Sequence, residues 1–409
     1  MPSAKPNVAV LALIDDVKTA ALLDSPHNPS AHAKLLDTIH KLNIAAETPL
    51  ESILRVQFQL QQNVAIRVAL EMGILEALVQ DGQSSMGAAC LAERCGGEPS
   101  LIIRIMRLLA AMSFCDEVAP ETYASNCITR ALNVPEWKAG VQYGFDTAIP
   151  VASKVIPYLQ QNNFQDPTNC NSTASTFAFG MPIFQWLAQN PSVQANFNLW
   201  MDGRRKGKAN WLDIFPFEDR IVIDTKKDNG TVLFVDVGGN EGHVVKELRA
   251  RYPDLDGRVI LQDQQSVVNR LLDRLADFEE QGIEVMAHDF FNPQPVKGAR
   301  TYFLRAILHN WSDPQCVQVL THIASSMVKG YSKLIINDYV LPATGAGLLS
   351  VQQDLLMMTL FGGVERTEGQ WHELLEKAGL RIERIWMRDG ESGSGGESEG
   401  VIEAVLREE

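Results

Sequence analysis

The stretch TVLFVDVGGNEGHV, residues 231–244, runs a strand, a glycine turn and a helix start together without a break. Thr231 to Val237 is the apolar, β-branched run of a strand buried on both faces. Gly238, Gly239 and Gly242 interrupt it, and GHVVKELRARYP then reads as a helix that Pro253 stops. Glycines at such a turn permit positive φ and let a ligand approach bare backbone, while the helix start offers N–H groups to polar or anionic atoms. The stretch predicts an α/β fold with a cofactor site at this turn. A purely structural strand-turn-helix unit is the alternative reading.

A dinucleotide turn needs glycines at its first, third and sixth positions, and this chain supplies Gly238, Asn240 and His243. The pattern Asp-Val-Gly-Gly-x-x-Gly points instead to S-adenosylmethionine. RVILQD, residues 258–263, is a second buried strand ending in Asp263, whose carboxylate can accept both hydroxyls of a ribose. GIEVMAHDFF, residues 282–291, is a third strand candidate. It ends in Asp289, an acceptor for an adenine amino group, and Phe290, a ring that can stack on it; Asp289 alone would equally serve as a helix cap. RTYFLRAILHNWSD, residues 300–313, leads from the strand-like Tyr302-Phe303-Leu304 through Arg305 to His309. His309 falls past the C-terminal edge of the sheet, where open α/β folds bind ligands, and Trp311 can cover an adenine. Out of context His309 is also an ordinary loop histidine.

Composition narrows the function. A chain of 409 residues, 45% hydrophobic and 21% charged, describes a globular protein of two or three domains with a large core. A formal net charge of −14 argues against nucleic acid and anionic membrane surfaces as partners and leaves small neutral or aromatic molecules. No run of about 20 apolar residues occurs. Asp15 and Asp16 interrupt the apolar stretch near the N-terminus, and no cleavage-site pattern follows. Cys90, Cys95, Cys115, Cys127, Cys170 and Cys316 form no CxxC pair and no metal spacing with the histidines. No metal is expected, the thiols read as reduced, and a cytoplasmic location follows.

Residues 1–45 read as a helical extension, with helices over 7–45 broken at Ser25-Pro26-His27-Asn28-Pro29. Residues 46–135 begin with a long helix from 52 that ends near Gly73 and a short one to 80. Helix-turn-helix-like residues 91–112 and a wing around Phe114 to Ile128 follow. DNA binding is disfavoured, because Ile102, Ile103, Ile105, Met106, Leu108 and Leu109 outnumber the cations Arg104 and Arg107 on the second helix. Residues 136–215 form a helical linker rich in Phe, Met and Trp. Phe197, Trp200 and Met201 lie one helical turn apart and serve either as core or as a wall of an aromatic substrate pocket. Residues 216–409 are the cofactor-binding catalytic domain.

The ordered series DVGGNEG (236–242), LQD (261–263), HDFF (288–291), ILHNWSD (307–313), NDYVLP (337–342) and GGVERTEGQW (362–371) resembles the plant and fungal class I small-molecule O-methyltransferases, the family of the caffeic acid and flavonoid enzymes. The resemblance spans about residues 50–409. It implies a winged-helix-like N-terminal domain that makes a homodimer, and a mostly parallel S-adenosylmethionine-binding sheet closed by an antiparallel pair, RIERIWMR (381–388) and VIEAVLRE (401–408), around a loop at ESGSGGESEG. It implies that Gly238, with Gly239 in the same turn, lies against the methionine part of the cofactor, and that Asp263 binds its ribose. Asp289, Phe290 and Trp311 meet its adenine, and Arg305 stands where a backbone-contacting lysine is usual. His309 matches the general base, and Asp338 and Glu365 match the acids that hold it. Met357, Met358 and Phe361 lie on the helix that lines the acceptor pocket.

Methyl transfer is an in-line displacement that depends on alignment of the oxygen nucleophile. A phenol with a pKa of about 10 loses its proton to a histidine near 6.5 at a cost of about 5 kcal/mol, unless carboxylates raise the base's affinity for protons. Two positions depart from the family pattern: Asn240 replaces a glycine, and Asn310 replaces the acid that ordinarily follows the histidine, removing one charge beside the base. The expected function is therefore an S-adenosylmethionine-dependent O-methyltransferase acting on a phenolic or polyketide-type small molecule in secondary metabolism. The alternative is a pericyclase or dehydratase on the same fold, which binds the cofactor or has lost it and polarises a carbonyl with His309. A non-catalytic regulatory protein is a third reading, disfavoured by the lack of an exposed basic helix.

Overall fold

The alternation of the apolar residues is carried into a large central sheet in the computed structural model, which describes residues 7–25, 28–80, 85–169, 171–205, 210–225, 230–387 and 399–408. The chain divides into two compact units. One comprises Met1–Asp16, Ile39–Ile156 and Ile183–Lys208, the other Val17–Thr38, Pro157–Pro182 and Ala209–Glu409.

In the first unit the expected long helix is split in two, Pro49–Gln57 and Gln59–Glu71, because Phe58 adopts φ −92° and ψ 5° and closes the first segment. A capping box between Thr48 and Glu51 starts that segment, with the Glu51 carboxylate accepting the Thr48 N–H at 2.7 Å. Helices Ala88–Cys95 and Pro99–Ala111 follow one another, and the strands Asp116–Ala119 and Thr122–Ala124 pair antiparallel after them. Ile102, Met106 and Leu109 are fully buried in a core with Leu91, Ile74 and Tyr123. The face of the second helix that a DNA-binding reading needs in solvent is in part core.

The second unit is built on a sheet with helices between its strands. Its elements are β1 (Val232–Val237), α1 (His243–Arg251), β2 (Arg258–Asp263), β3 (Ile283–Ala287), β4 (Thr301–Arg305), α2 (Asp313–Ala324), β5 (Lys333–Leu341), α3 (Leu348–Phe361), β6 (Arg366–Thr367), α4 (Glu368–Lys377), β7 (Leu380–Trp386) and β8 (Glu399–Leu406). The order is β7-β8-β5-β4-β1-β2-β3, with the short β6 pairing with β5. Strands β1 to β5 are parallel, and β8 lies antiparallel between β7 and β5. Reversal of strand order at β1 and β4 opens a crevice at the carboxyl ends of the strands, the place where such sheets bind ligands.

Period-two alternation explains why both faces are apolar. Tyr302, Leu304, Leu334 and Ile336 join one core with Trp371 and Leu374 of α4, whereas Phe303, Ile335 and Leu261 join the opposite core with Val245 and Leu248 of α1. The second core is aromatic, with Trp211 and Phe303 centroids 4.6 Å apart and Phe234 and Phe303 5.3 Å apart. Within β8, Glu403 is fully buried but accepts hydrogen bonds from Arg220, Lys333 and the Trp386 indole. Most of the ESGSGGESEG segment, residues 391–398, lies outside the described residues, as does Cys170. The five described cysteines are free. No described helix is long and apolar enough to cross a membrane.

Candidate active site

The glycine turn after β1 is shaped by contacts that leave no room for side chains. Gly238 has φ 77°, and a Cβ there would stand 2.8 Å from Ile307 Cδ1. At Gly239 a Cβ would stand 2.3 Å from Asp236 Oδ2 and 2.4 Å from Leu261 Cδ1, and at Gly242, φ 75°, it would meet the Phe278 ring at 2.6 Å. Asn240 takes the positive φ, 49°, that its substitution for glycine required. Its backbone N–H donates to Asp263 Oδ2 at 2.8 Å, and the Gln264 N–H donates to Oδ1 at 2.7 Å. Burial pushes the Asp263 carboxyl up, and these two donors pull it back. Each carboxylate oxygen takes one backbone N–H and retains lone-pair capacity for a ribose hydroxyl. A bare glycine turn suits the methionine end of S-adenosylmethionine, and the positioned carboxylate beside it suits the ribose.

The aromatic wall stands beside it. Phe290 packs on Phe291 at 5.0 Å, and Trp311 meets both rings edge-on, at 6.0 and 4.8 Å. Strand β3 ends at Ala287, so Asp289 and Phe290 lie in the loop beyond it. The Asp289 carboxylate accepts the Phe291 N–H at 3.1 Å, and Asp289 thus closes a local turn instead of capping a helix. Arg305 pairs with Glu399 of β8 at 3.3 Å.

His309 sits in a 3₁₀ turn, Leu308–Asn310, that follows β4, and it is 8% exposed. Its Nδ1 lies 2.9 Å from Glu365 Oε1 and 3.6 Å from Asp338 Oδ1, and its backbone N–H points to Asp338 Oδ2 at 3.3 Å. Both acids are buried, Asp338 within β5 and Glu365 just before β6. Burial pushes the Asp338 carboxyl up to about 6; the His309 charge opposes this and the Glu365 carboxylate adds to it. The ligand atoms of the three side chains lie within 4.8 Å of one another, close enough to hold an ion. The 2.9 Å separation of His309 Nδ1 from Glu365 Oε1 is that of a hydrogen bond.

Several residues that the sequence did not single out hold this group in place. Gly363 N–H donates to Met357 O and Val364 N–H to His309 O, at 3.2 and 3.0 Å. The Glu365 N–H donates to Asp354 Oδ1 at 2.8 Å, which ties α3 to the acid. Arg366, 1% exposed, donates to the carbonyls of Leu308 and Trp311 and pairs with Asp313 at 2.8 Å. The signal for Arg366 and Gly363 was present in GGVERTEGQW, where an arginine adjoins the acid matched to the histidine's partner, after two glycines. Nothing local marks Asp354.

Met357, Met358 and Phe361 lie on α3, whose end is closed by Gly362 at φ 66°, and Met357 and Phe361 are buried. Phe197, Trp200 and Met201 belong to the first unit, on the helix Pro191–Arg205. There Phe197 packs on Tyr143 at 5.1 Å, and the Trp200 indole lies so close to Gly140 that a Cβ would stand 2.5 Å from it. Both are half-buried.

Comparison with known proteins agrees with this geometry. An O-methyltransferase domain matches residues 163–381. The methyltransferase cfoC of Aspergillus candidus is 32% identical over 94% of this chain and 95% of its own length. The demethylsterigmatocystin 6-O-methyltransferase of Aspergillus flavus is 33% identical over 84% of this chain and 86% of its own. Among solved structures, LepI in complex with SAM superposes with a TM-score of 0.83 at 29% identity, over 98% of this chain and all of that one. A structure described as a pericyclic reaction enzyme superposes with a TM-score of 0.82, also at 29% identity over 98% of this chain and all of that one. The chain therefore belongs to the family of O-methyltransferases that use S-adenosyl-L-methionine.

Proposed function

We propose that this protein transfers the methyl group of S-adenosylmethionine to a hydroxyl of a phenolic or polyketide-type small molecule, with His309 as the general base. The observation that carries the reading is the buried His309–Glu365 contact at 2.9 Å with Asp338 at 3.6 Å. Bound S-adenosylmethionine supplies an electrophilic methyl on a sulfonium. Gly238 and Gly239 admit its methionine end, Asp263 holds the ribose, Asp289, Phe290 and Trp311 meet the adenine, and Arg305 contacts the adjoining backbone. Glu365 fixes the Nδ1 proton of His309, so Nε2 is the nitrogen that takes the proton of the acceptor hydroxyl. The two carboxylates stabilise the resulting imidazolium and make up for the charge absent at Asn310. Met357, Met358 and Phe361 supply an apolar surface suited to a planar acceptor.

The test is labelled S-adenosylmethionine with a panel of phenols and polyketides, run on the wild type and on His309→Ala. Label transfer that drops by about 10²- to 10⁴-fold in the variant supports the reading. Undiminished transfer in the variant overturns the assignment of the base.

A second reading, a pericyclase or dehydratase with no methyl transfer, is favoured by one observation, the likeness to a pericyclic reaction enzyme across nearly the whole chain. Tight cofactor binding without label transfer to any acceptor, together with conversion of an unsaturated polyketide, would select it.

We also propose that residues 46–135 make a homodimer interface. Leu50, Ile53, Val56 and Phe58 are more than half exposed on neighbouring turns, an apolar surface of the kind that a second copy covers. A monomeric mass in light scattering overturns this. The free cysteines suit a reducing compartment, and we place the protein in the cytoplasm.

A further inference from the structure

We propose that Gln262 and Gln294 are positioning residues whose reciprocal amide pair ties the glycine turn and the ribose acid to the loop that faces the adenine. Gln262 is the last residue but one of β2, and its carbonyl accepts the N–H groups of both Gly238 and Gly239, at 2.8 and 3.1 Å. The next residue is Asp263. Its carbonyl accepts the His288 N–H at 2.8 Å, at the start of the loop that carries Asp289 and Phe290. The backbone of this dipeptide thus holds the turn on one side and the beginning of the loop on the other.

The side chain of Gln262 reaches the far end of the same loop. Alternation along β2 puts it on the face of Ile260, in the core that also takes in Phe290, Phe291 and Val296. There Gln262 Nε2 donates to Gln294 Oε1, and Gln294 Nε2 donates to Gln262 Oε1, both at 2.9 Å. The Val296 N–H donates to Gln294 Oε1 at 3.1 Å, which fixes which end of that amide is the oxygen. Gln262 Nε2 donates further to Met286 Sδ at 3.3 Å, on the facing residue of β3. Both glutamines are at most 1% exposed. Either amide without the other would be an unpaired polar group in an apolar core, and the loop is the part that can move to relieve it. Residues 288–296 are therefore clamped at both ends from one dipeptide, with the cofactor-facing side chains between the clamps.

The inference rests on the assignment of Asp263, Asp289 and Phe290 to the cofactor, so Asp263→Ala serves as the control. Gln262→Met and Gln294→Met, which keep length and remove the amide, are compared with their double variant and with the milder Gln294→Glu by calorimetric titration of S-adenosylmethionine. Melting temperatures are recorded alongside. Each methionine variant is expected to bind the cofactor about tenfold more weakly, with kcat and acceptor KM at saturating cofactor little changed. Gln294→Glu, which still accepts from Gln262 Nε2 and Val296, is expected to lose less. The double variant is expected to lose no more than the worse single one, because the second change removes the amide that the first left unpaired. Losses that multiply in the double variant would overturn the proposal. So would wild-type affinity in both methionine variants beside a weakened Asp263→Ala, even with lowered melting temperatures, since the pair would then be merely structural. Wild-type affinity in Asp263→Ala would overturn the cofactor assignment itself, and the inference with it.

Discussion

Gly363 and His309 meet backbone to backbone: a Cβ on Gly363 would stand 2.0 Å from the His309 carbonyl oxygen. No side chain fits there, so the loop that delivers Glu365 and the turn that carries His309 have to separate before any other residue can occupy position 363.

Gly363→Ala is accordingly expected to break the His309–Glu365 contact and to lower kcat by at least tenfold. The cost in stability is expected at about 1–3 kcal/mol, the range for forced overpacking. Affinity for S-adenosylmethionine, which we assign to Gly238 and Asp263, should change little. Calorimetry and turnover measured on one preparation check this, and a cofactor affinity that falls in step with kcat would contradict it.

The buried Asp338 makes stability depend on pH in a direction that can be measured. Its folded-state carboxyl is raised to about 6 from an ordinary value of 3.8, mainly by burial. The native state therefore holds more protons than the unfolded one between these values, and stability falls as pH rises from about 4 through 6. Asp338→Asn removes that group. The melting temperature of the variant minus that of the wild type should grow with pH across this window and level off above it, while methyl transfer is slower at every pH. A difference that is flat with pH would show that Asp338 is not raised.

Gly239 and Asn240 are neighbours with opposite tolerances. At Gly239 an added Cβ would meet Asp236 and Leu261 within 2.4 Å, so Gly239→Ala should weaken S-adenosylmethionine binding by well over tenfold. At Asn240 the backbone is already left-handed and its N–H serves Asp263, so Asn240→Gly should bind the cofactor about as well as the wild type. Undiminished binding in Gly239→Ala would mean that the turn is not the cofactor site.

The strands at 232–237 and 258–263 were legible from their buried apolar runs, Val232 to Val235 and Val259 to Leu261, a signal that needs no knowledge of neighbours. The break at Phe58 was not, since neither glycine nor proline marks it. His309, Asp338 and Glu365 were found through a family resemblance, because spacings of tens of residues say nothing by themselves about proximity. What could not be read were second partners. Asp354 meets Glu365 through a backbone N–H, and Asn310 looked like a lost charge until its amide was seen on the Ala306 carbonyl. Asp289 was read as an acceptor for adenine, yet its carboxylate also closes its own loop.

The insertion of β8 between β5 and β7 carries a consequence for biosynthesis. Strand β5, which holds Asp338, pairs with β4 on one side and with β8 on the other. A nascent chain that has emerged from the ribosome as far as Gly379 thus displays an open β5 edge and lacks Glu403, the counter-charge of Arg220 and Lys333. Such an edge invites pairing with other chains. The segment translated after residue 398 therefore acts as a latch on the sheet, and the interval before it arrives is when the growing polypeptide most needs a chaperone.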